Sequence, residues 1–194
     1  MRRFSLVRRY RDCEDGANAL EFAMISPVLF LLVMGIVEIG LMMSAQHTLE
    51  SATYVASRTG RTGFVETGKT QEQTIMESLK DRASPLLSTK GTSMDDLVVT
   101  AKTYTNFDDI SKPEPFTDTN GNGVRDDGES FTDINGNGEW DEDRGRVGFG
   151  DAGEIVVYTA TYPWKFVTPL VGQFFGPDGT YMVTARAVVK NEPF

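Results

Sequence analysis

The most pronounced feature of the hydrophobic pattern lies near the N-terminus. Residues 22–37 contain no charged side chain, and residues 39–45 continue this apolar stretch after Glu38. The span 22–43 is long enough for one helix to cross a hydrocarbon core of about 30 Å. The pattern therefore predicts one membrane-spanning helix. A cleaved signal peptide is the alternative, but its apolar core has only about 7–15 residues, and residues 43–45 fit its small-residue cleavage site poorly.

Beyond this run the pattern changes to that of a mixed domain. Residues 46–58 carry apolar side chains at spacings of three and four, which predicts one continuous helix over residues 17–58 with an apolar face toward a sheet. Residues 70–87 predict a second amphipathic helix, with its apolar side formed by Ile75, Leu79, Ala83 and Leu86. Runs rich in Val, Thr and Tyr predict strands at residues 97–104, 155–162 and 181–189, and a short helix is expected at 169–175. The expected fold class is α+β, with a roughly three-stranded antiparallel sheet behind a long N-terminal helix.

Composition and charge narrow the possible functions. The 194 residues have a formal net charge of −9, and residues 107–154 alone contain 14 Asp and Glu against four Lys and Arg. This acidity argues against a nucleic-acid partner, because proteins that bind nucleic acid need a basic surface. The one cysteine, Cys13, and the one histidine, His47, cannot form a disulfide, a cysteine metal cage or a histidine cluster. We therefore expect no enzymatic activity.

The first 16 residues have the features of a processed leader. They contain five arginines against three acidic residues, which predicts a cytoplasmic N-terminus and a C-terminal domain on the other side of the membrane. Gly16 and Ala17 precede Glu21 and the apolar run. This arrangement resembles the processing site of type IV prepilins, in which a peptidase cuts after a glycine and leaves a glutamate at the fifth position. The resemblance implies cleavage between Gly16 and Ala17, and a role for Glu21 in neutralising the N-terminal ammonium of a neighbouring subunit.

A larger set of positions resembles the TadE-like family, which comprises minor pilins or pseudopilins of the tight-adherence (Tad, Flp) pilus machinery. The resemblance is carried by Gly16-Ala17, Leu20 through Ala23, Pro27, Gly35, Glu38, Gly40, Leu49 through Ala52, Ala56 and Arg58, with weaker support from residues 188–194. It implies a pilin-like domain on the long helix and a single-pass protein of the bacterial inner membrane, with its C-terminal domain periplasmic or extracellular. The implied partners are the prepilin peptidase, other Tad pilins or pseudopilins and the inner-membrane assembly platform.

Within the apolar helix, three further positions are candidates for assembly contacts. Pro27 removes one backbone hydrogen bond and is compatible with a simple kink. Gly35 is either an ordinary glycine of a membrane helix or a place where another helix approaches closely. Glu38 either extends toward the outer headgroups or contacts another subunit, because an ionised acid near the centre of a bilayer costs about 2.5–3.5 kcal/mol.

The acidic segment contains a repeat with an offset of 15 residues, from Phe116 to Gly123 and again from Phe131 to Gly138. Oxygen-bearing side chains at alternate positions followed by glycine are typical of an EF-hand-type calcium loop. The first copy offers all the expected ligands: Asp118, Asn120, Asn122, the carbonyl of Val124, Asp126 and Glu129.

The second copy offers the same kinds of ligand except at the last position: Asp133, Asn135, Asn137, the carbonyl of Glu139 and Asp141. Its twelfth position is Arg144, so Glu142 or Asp143 is expected to substitute. Hard oxygen ligands favour Ca²⁺ over zinc or copper, and we expect one or two structural calcium ions. The alternative is a solvated acidic loop without a metal.

These features divide the chain into a leader (1–16), a membrane-spanning and spine helix (17–60) and an exported α+β domain (61–194) that contains the repeat insertion (116–145). The expected function is that of a TadE-like minor pilin or pseudopilin, which helps to assemble or anchor a Tad pilus. The alternative is an uncleaved, membrane-anchored module for calcium-dependent adhesion or binding.

Overall fold

The computed structural model describes residues 15–87, 93–176 and 178–193, with side chains from residue 18 onward. Its helices are α1 (Asp15–Arg61), α2 (Gln71–Leu87) and the one-turn α3 (Pro169–Gly172), and its strands are β1 (Val98–Tyr104), β2 (Arg146–Val147), β3 (Ile155–Lys165) and β4 (Thr180–Lys190). The leader up to residue 14, which includes Cys13, lies outside the described residues.

The long helix α1 has two different halves. Its 47 residues correspond to about 70 Å at 1.5 Å per residue. Most side chains over 18–37 are exposed, although they are apolar, whereas from Glu38 onward one face is buried at intervals of three or four residues. That face ends at Gly60, and Gly63 then adopts a φ of 64°, the left-handed conformation that commonly follows a helix. The helix therefore carries its domain on the second half and leaves the first half free.

The four strands form one antiparallel sheet in the order β2-β1-β3-β4. The α+β class is confirmed, and the sheet has one strand more than expected. The additional strand, β2, has two residues, with Lys102 opposite Val147 and Thr103 opposite Arg146. Such a short strand inside an acidic stretch has no alternating pattern that sequence could reveal.

The core lies between α1, α2 and one face of the sheet. The predicted apolar face of α2 is confirmed, because Ile75, Leu79 and Ala83 are buried and Leu86 is partly buried against the same core, with Leu87 buried beside it. Large side chains from β3 fill the space beneath the helices, among them Tyr158, Tyr162 and Trp164. The sheet is therefore covered on one side by the helix face that the spacing of Leu49, Ala52 and Ala56 predicted.

Candidate functional site

The free half of α1 places the predicted processing residues at its beginning. Gly16 and Ala17 lie in the first turn of the helix, and Glu21 is exposed one turn later. No hydrogen bond or ion pair joins the Glu21 carboxylate to another described residue. In a bilayer such a carboxylate would require a partner, and the described part of the chain supplies none.

Pro27 lies within α1, and its missing N–H leaves the carbonyl of Ala23 without its usual helical donor. The hydroxyl of Ser26 lies 3.5 Å from that carbonyl oxygen and donates a long hydrogen bond to it. Neighbouring Ser or Thr hydroxyls commonly satisfy carbonyls freed by proline in membrane helices. The helix therefore continues through Pro27.

Glu38 has an intramolecular partner that the sequence does not reveal. Its carboxylate accepts hydrogen bonds from the amides of Val167 and Thr168 at 3.0–3.1 Å and from the Thr168 hydroxyl at 3.2 Å. Only 3% of Glu38 is exposed. In this fold its carboxylate is bound within its own chain, and the two expectations for Glu38, the outer headgroups or another subunit, stay predictions.

Gly35 lies one turn before Glu38 and faces the same part of the domain. A Cβ added to Gly35 would lie 3.9 Å from Cγ2 of Val171, in the short helix α3. A side chain at this distance would be in ordinary van der Waals contact, so Gly35 adjoins α3 of the same chain without an approach that requires glycine. Together, Gly35 and Glu38 attach the segment after β3 to the apolar helix.

The first acidic loop, residues 118–129, is held together by hydrogen bonds between its own residues. Asp118 accepts from the amides of Gly121, Asn122 and Gly123 at 2.6–3.2 Å, and the amide from Gly123 contributes most to lowering the pKa of Asp118. Glu129 accepts from the amides of Thr119 and Asp126 at 2.8 and 3.0 Å. The predicted first and twelfth ligand positions are thus both turned toward the loop.

In the first loop, the side chains of Asn120 and Asn122 contact the residue at the ninth position, Asp126. The NH₂ groups of Asn120 and Asn122 donate to the Asp126 carboxylate at 2.7 and 2.8 Å. The side-chain oxygen of Asn122 accepts from the amide of Val124 at 2.7 Å. All six predicted ligand residues therefore participate in one local network.

The second loop repeats this network with a different closing residue. Asp133 accepts from the amides of Gly136 and Gly138 at 2.6 and 2.9 Å, and Asn135 and Asn137 both donate to Asp141 at 2.6 Å. The side-chain oxygen of Asn137 accepts from the amide of Glu139 at 2.7 Å. The predicted residues of this copy are therefore also brought together.

Glu114 closes the second loop. Its carboxylate accepts from the amides of Ile134, Asn135 and Asp141 at 2.7–3.3 Å, and the residue is fully buried. These are the amides at positions two, three and nine of the loop, and Glu129 accepts from positions two and nine of its own loop. Asp143, one of the two residues expected to substitute at the last position, is instead hydrogen-bonded to Tyr104 and Lys102, whereas a role for Glu142 stays a prediction.

A small antiparallel pairing explains why Glu114 lies there. Phe116 is paired with Phe131, the amide of Thr117 donates to the carbonyl of Ser130, and the amide of Thr132 donates to the carbonyl of Pro115, each at 2.8 Å. The pairing brings Glu114 opposite the beginning of the second loop and Glu129 opposite the beginning of the first. The offset of 15 residues extends to these two glutamates, and this is the signal that could have identified Glu114.

The two loops enclose a small aromatic cluster. The rings of Phe116 and Trp140 meet edge to face at 6.0 Å, and the guanidinium of Arg125 lies over Phe131 and Trp140 at 5.1 and 5.6 Å. Aromatic pairs and cation–π contacts of this kind each contribute about 0.5–1.5 kcal/mol. The loops consequently have an apolar interior of their own.

Arg144 and Asp143 attach this insertion to the sheet. Arg144, at the twelfth position of the second loop, donates to Asp109 at 3.1 Å and to the carbonyl of Pro113. The Asp143 carboxylate accepts from Tyr104 at 2.8 Å and from Lys102 at 3.0 Å. Burial alone would raise the pKa of Asp143, but these hydrogen bonds outweigh it and the pKa is lowered. Both side chains therefore hold the insertion in place and are not directed into the loop.

The oxygen ligands of the two loops are of the types that bind a hard cation, but their carboxylates do not lie close enough together to hold one in this conformation. The loops offer carboxylate, side-chain carbonyl and backbone carbonyl oxygens, the ligand types of Ca²⁺. Among the described residues, no group of three or more His, Cys, Asp or Glu side chains is close enough to hold a metal ion. Binding a cation would require the amide groups of the Asn residues to turn their oxygens inward.

Comparison with known proteins bears on α1. No curated protein and no solved structure matches the chain significantly. Helix α1 is long and apolar enough to cross a membrane by length and composition, and its most apolar part is almost entirely exposed. Residues 16–58, which make up most of this helix and end before the sheet, match the family model described as TadE-like protein.

Proposed function

We propose that this chain is a minor pilin or pseudopilin that helps to assemble or anchor a Tad pilus. The observation that carries the proposal is the match to TadE-like proteins over residues 16–58, together with the free apolar half of the same helix. A helix that packs its own domain only from Glu38 onward leaves its first half for lipid or for other helices. Two such halves are what a subunit needs that is first held in a membrane and then packs laterally against other pilins.

The processing step follows from the beginning of α1. A prepilin peptidase would cut between Gly16 and Ala17, removing the arginine-rich leader on the cytoplasmic side and leaving the domain in the periplasm or outside the cell. The new ammonium at Ala17 would then be neutralised by the carboxylate of Glu21 on the neighbouring subunit. A buried ion pair of this kind compensates the desolvation that each charge alone would suffer.

The insertion would add structural calcium, with one or two ions. The first ion would be bound by Asp118, Asn120, Asn122, Val124, Asp126 and Glu129. The second would be bound by Asp133, Asn135, Asn137, Glu139 and Asp141, with Glu114 as the closing carboxylate. Support comes from the matching networks of the two loops and from the burial of Glu114, which has no ion-pair partner among the described residues. Two Ca²⁺ would also offset much of the local excess of negative charge.

The role of Glu21 is tested by a Glu21→Gln variant, with Glu72→Gln on the exposed face of α2 as the control. We expect Glu21→Gln to insert into the membrane in normal amounts but to reduce pilus number in a strain that lacks the wild-type copy, because the ammonium of the next subunit loses its counter-ion. The control should be piliated normally. Normal piliation with Glu21→Gln would contradict the charge-pairing role.

A further inference from the structure

An uncharged segment follows β3 and exposes large apolar side chains. This apolar loop, residues 166–175, contains no Asp, Glu, Lys or Arg. The exposed fractions of Val167, Leu170 and Phe174 are 63%, 56% and 83%. Several exposed apolar side chains in one uncharged segment are typical of a contact surface.

Contacts within the chain hold this segment. Phe166 and Phe175 stack with ring centroids 4.6 Å apart, and the amide of Phe166 donates to the carbonyl of Gly179 at 3.0 Å. A Cβ on Gly172 would lie 2.9 Å from Cα of Gly179, so the backbone just before β4 packs closely against the apolar loop. Phe174 is exposed in this conformation.

The loop is attached to α1 at a definite height. The Glu38 carboxylate accepts from the amides of Val167 and Thr168, and Gly35 faces Val171. If Glu21 marks one boundary of a hydrocarbon core of about 30 Å, the other boundary lies about 20 residues later, near Leu41. Gly35 and Glu38 then lie about 5–9 Å inside that boundary, within the depth of about 5–10 Å that interfacial apolar segments reach.

The surroundings of the apolar loop favour lipid as its occupant. The loop contacts α1 at Gly35 and Glu38, at the end of the free half of the helix, which by length and composition can itself contact lipid. Lys165 is exposed at the end of β3, immediately before the loop, where it can approach lipid phosphates. The amide donors to Glu38 also provide the hydrogen bonds that a carboxylate needs at this depth.

We propose that the apolar loop is a second membrane anchor, which inserts Val167, Leu170 and Phe174 into the lipid leaflet nearest the C-terminal domain. The domain is then held at the membrane surface by two attachments instead of hanging from one helix. Glu38 acts as a positioning residue, because it joins the loop to α1 at this depth. The inference rests on the membrane anchoring of α1 and is independent of both pilus assembly and calcium.

The test uses the full chain in vesicles of phosphatidylethanolamine and phosphatidylglycerol. Cys13→Ser removes the one cysteine, and single cysteines are then introduced as Phe174→Cys, Leu170→Cys, Leu29→Cys and Val147→Cys for spin labelling. Power saturation compares relaxation by oxygen, which concentrates in lipid, with relaxation by a water-soluble nickel complex. Leu29→Cys is the control for the membrane span, and Val147→Cys, at a position 83% exposed on β2, is the control for water.

We expect the labels at 174 and 170 to show a several-fold higher ratio of oxygen to nickel relaxation than the label at 147, approaching that at 29. A ratio at 174 and 170 equal to that at 147 would overturn the proposal. Shielding of both labels from both reagents would also overturn it, because a protein surface would then cover the loop. A label at 29 that is itself exposed to nickel would refute the anchoring of α1 and this inference together.

Discussion

Glu114 and Asp141 are hydrogen-bonded in both directions. The amide of Glu114 donates to the carbonyl of Asp141 at 2.9 Å, and the Glu114 carboxylate accepts from the amide of Asp141 at 3.3 Å. Trp140, the residue before Asp141, also donates its indole N–H to the carbonyl of Glu114 at 2.9 Å. Glu114, which lies just before the first repeat, is therefore bonded into the second loop. The two copies form one unit.

This arrangement predicts that Glu114→Gln and Glu129→Gln weaken different calcium loops. Titration of the full chain in detergent with Ca²⁺ should release heat for one or two ions, and each variant should weaken or remove binding at one loop. With a Kd of about 10⁻⁴–10⁻³ M, 10 mM Ca²⁺ would stabilise the domain by about 1.4–2.7 kcal/mol per site.

The matched control for this titration is Glu72→Gln, which lies on α2 far along the chain from both loops. It should bind as the wild type does. Absence of heat with the wild-type chain would refute structural calcium, and unchanged binding by Glu114→Gln would show that Glu114 does not close the second loop around an ion.

Glu38→Ala should destabilise the attachment between α1 and the segment after β3. The substitution leaves the amides of Val167 and Thr168 without their acceptor, and hydrogen bonds to charged groups contribute about 1.5–3 kcal/mol each. We expect a loss on the order of 3 kcal/mol in the free energy of unfolding. Urea titration in detergent, followed by the fluorescence of the buried Trp164, measures it.

Thr168→Val is the graded control for Glu38. It removes the hydroxyl donor to Glu38 and keeps both amide donors, so its loss should be about 1 kcal/mol or less. Equal stability of Glu38→Ala and wild type would contradict the attachment.

Asp143 makes stability depend on pH in a definite direction. Its pKa in the fold is lowered, because the hydrogen bonds from Lys102, Tyr104 and Gly145 together outweigh the effect of burial. The stabilisation is therefore fully present above the unfolded pKa of about 3.9 and is lost as the pH falls through the lower folded value. The free energy of unfolding of the full chain is measured at pH 7 and at successively lower pH. Asp143→Asn should lose part of the decrease in stability that the wild type shows on acidification.

Asp108→Asn is the comparison for this pH series, because the Asp108 side chain is exposed. That variant should retain the acid sensitivity of the wild type. The same pH dependence in Asp143→Asn as in wild type would contradict the contribution of Asp143.

The sequence predicts elements more readily than contacts between distant segments. The apolar run and the spacing of apolar residues after it predict the course of α1, because both signals are local. The two residues of β2 form a strand only because β1 offers partners at Lys102 and Thr103, and no local pattern announces them.

The contacts of the two candidate regions illustrate the same limit. Glu38 lies 129 residues from Val167. The one local signal is the Thr168-Pro169 sequence, which is typical of the beginning of a helix, where backbone amides need an acceptor. Glu114 closes a loop that begins 19 residues later, and its position depends on the pairing of Phe116 with Phe131. Local motifs identified most of the loop residues, whereas the closing residue of the second loop required the fold.

The central claim, that this chain is a processed Tad pilin, is tested most directly at its N-terminus. The protein is extracted from membranes of two otherwise identical strains, one with and one without its prepilin peptidase, and the intact mass is measured. We predict an N-terminus at Ala17 in the first strain and at Met1 in the second. Gly16→Ala should block cleavage in the first strain. An intact Met1 in both strains would contradict it and would favour an uncleaved, membrane-anchored binding module.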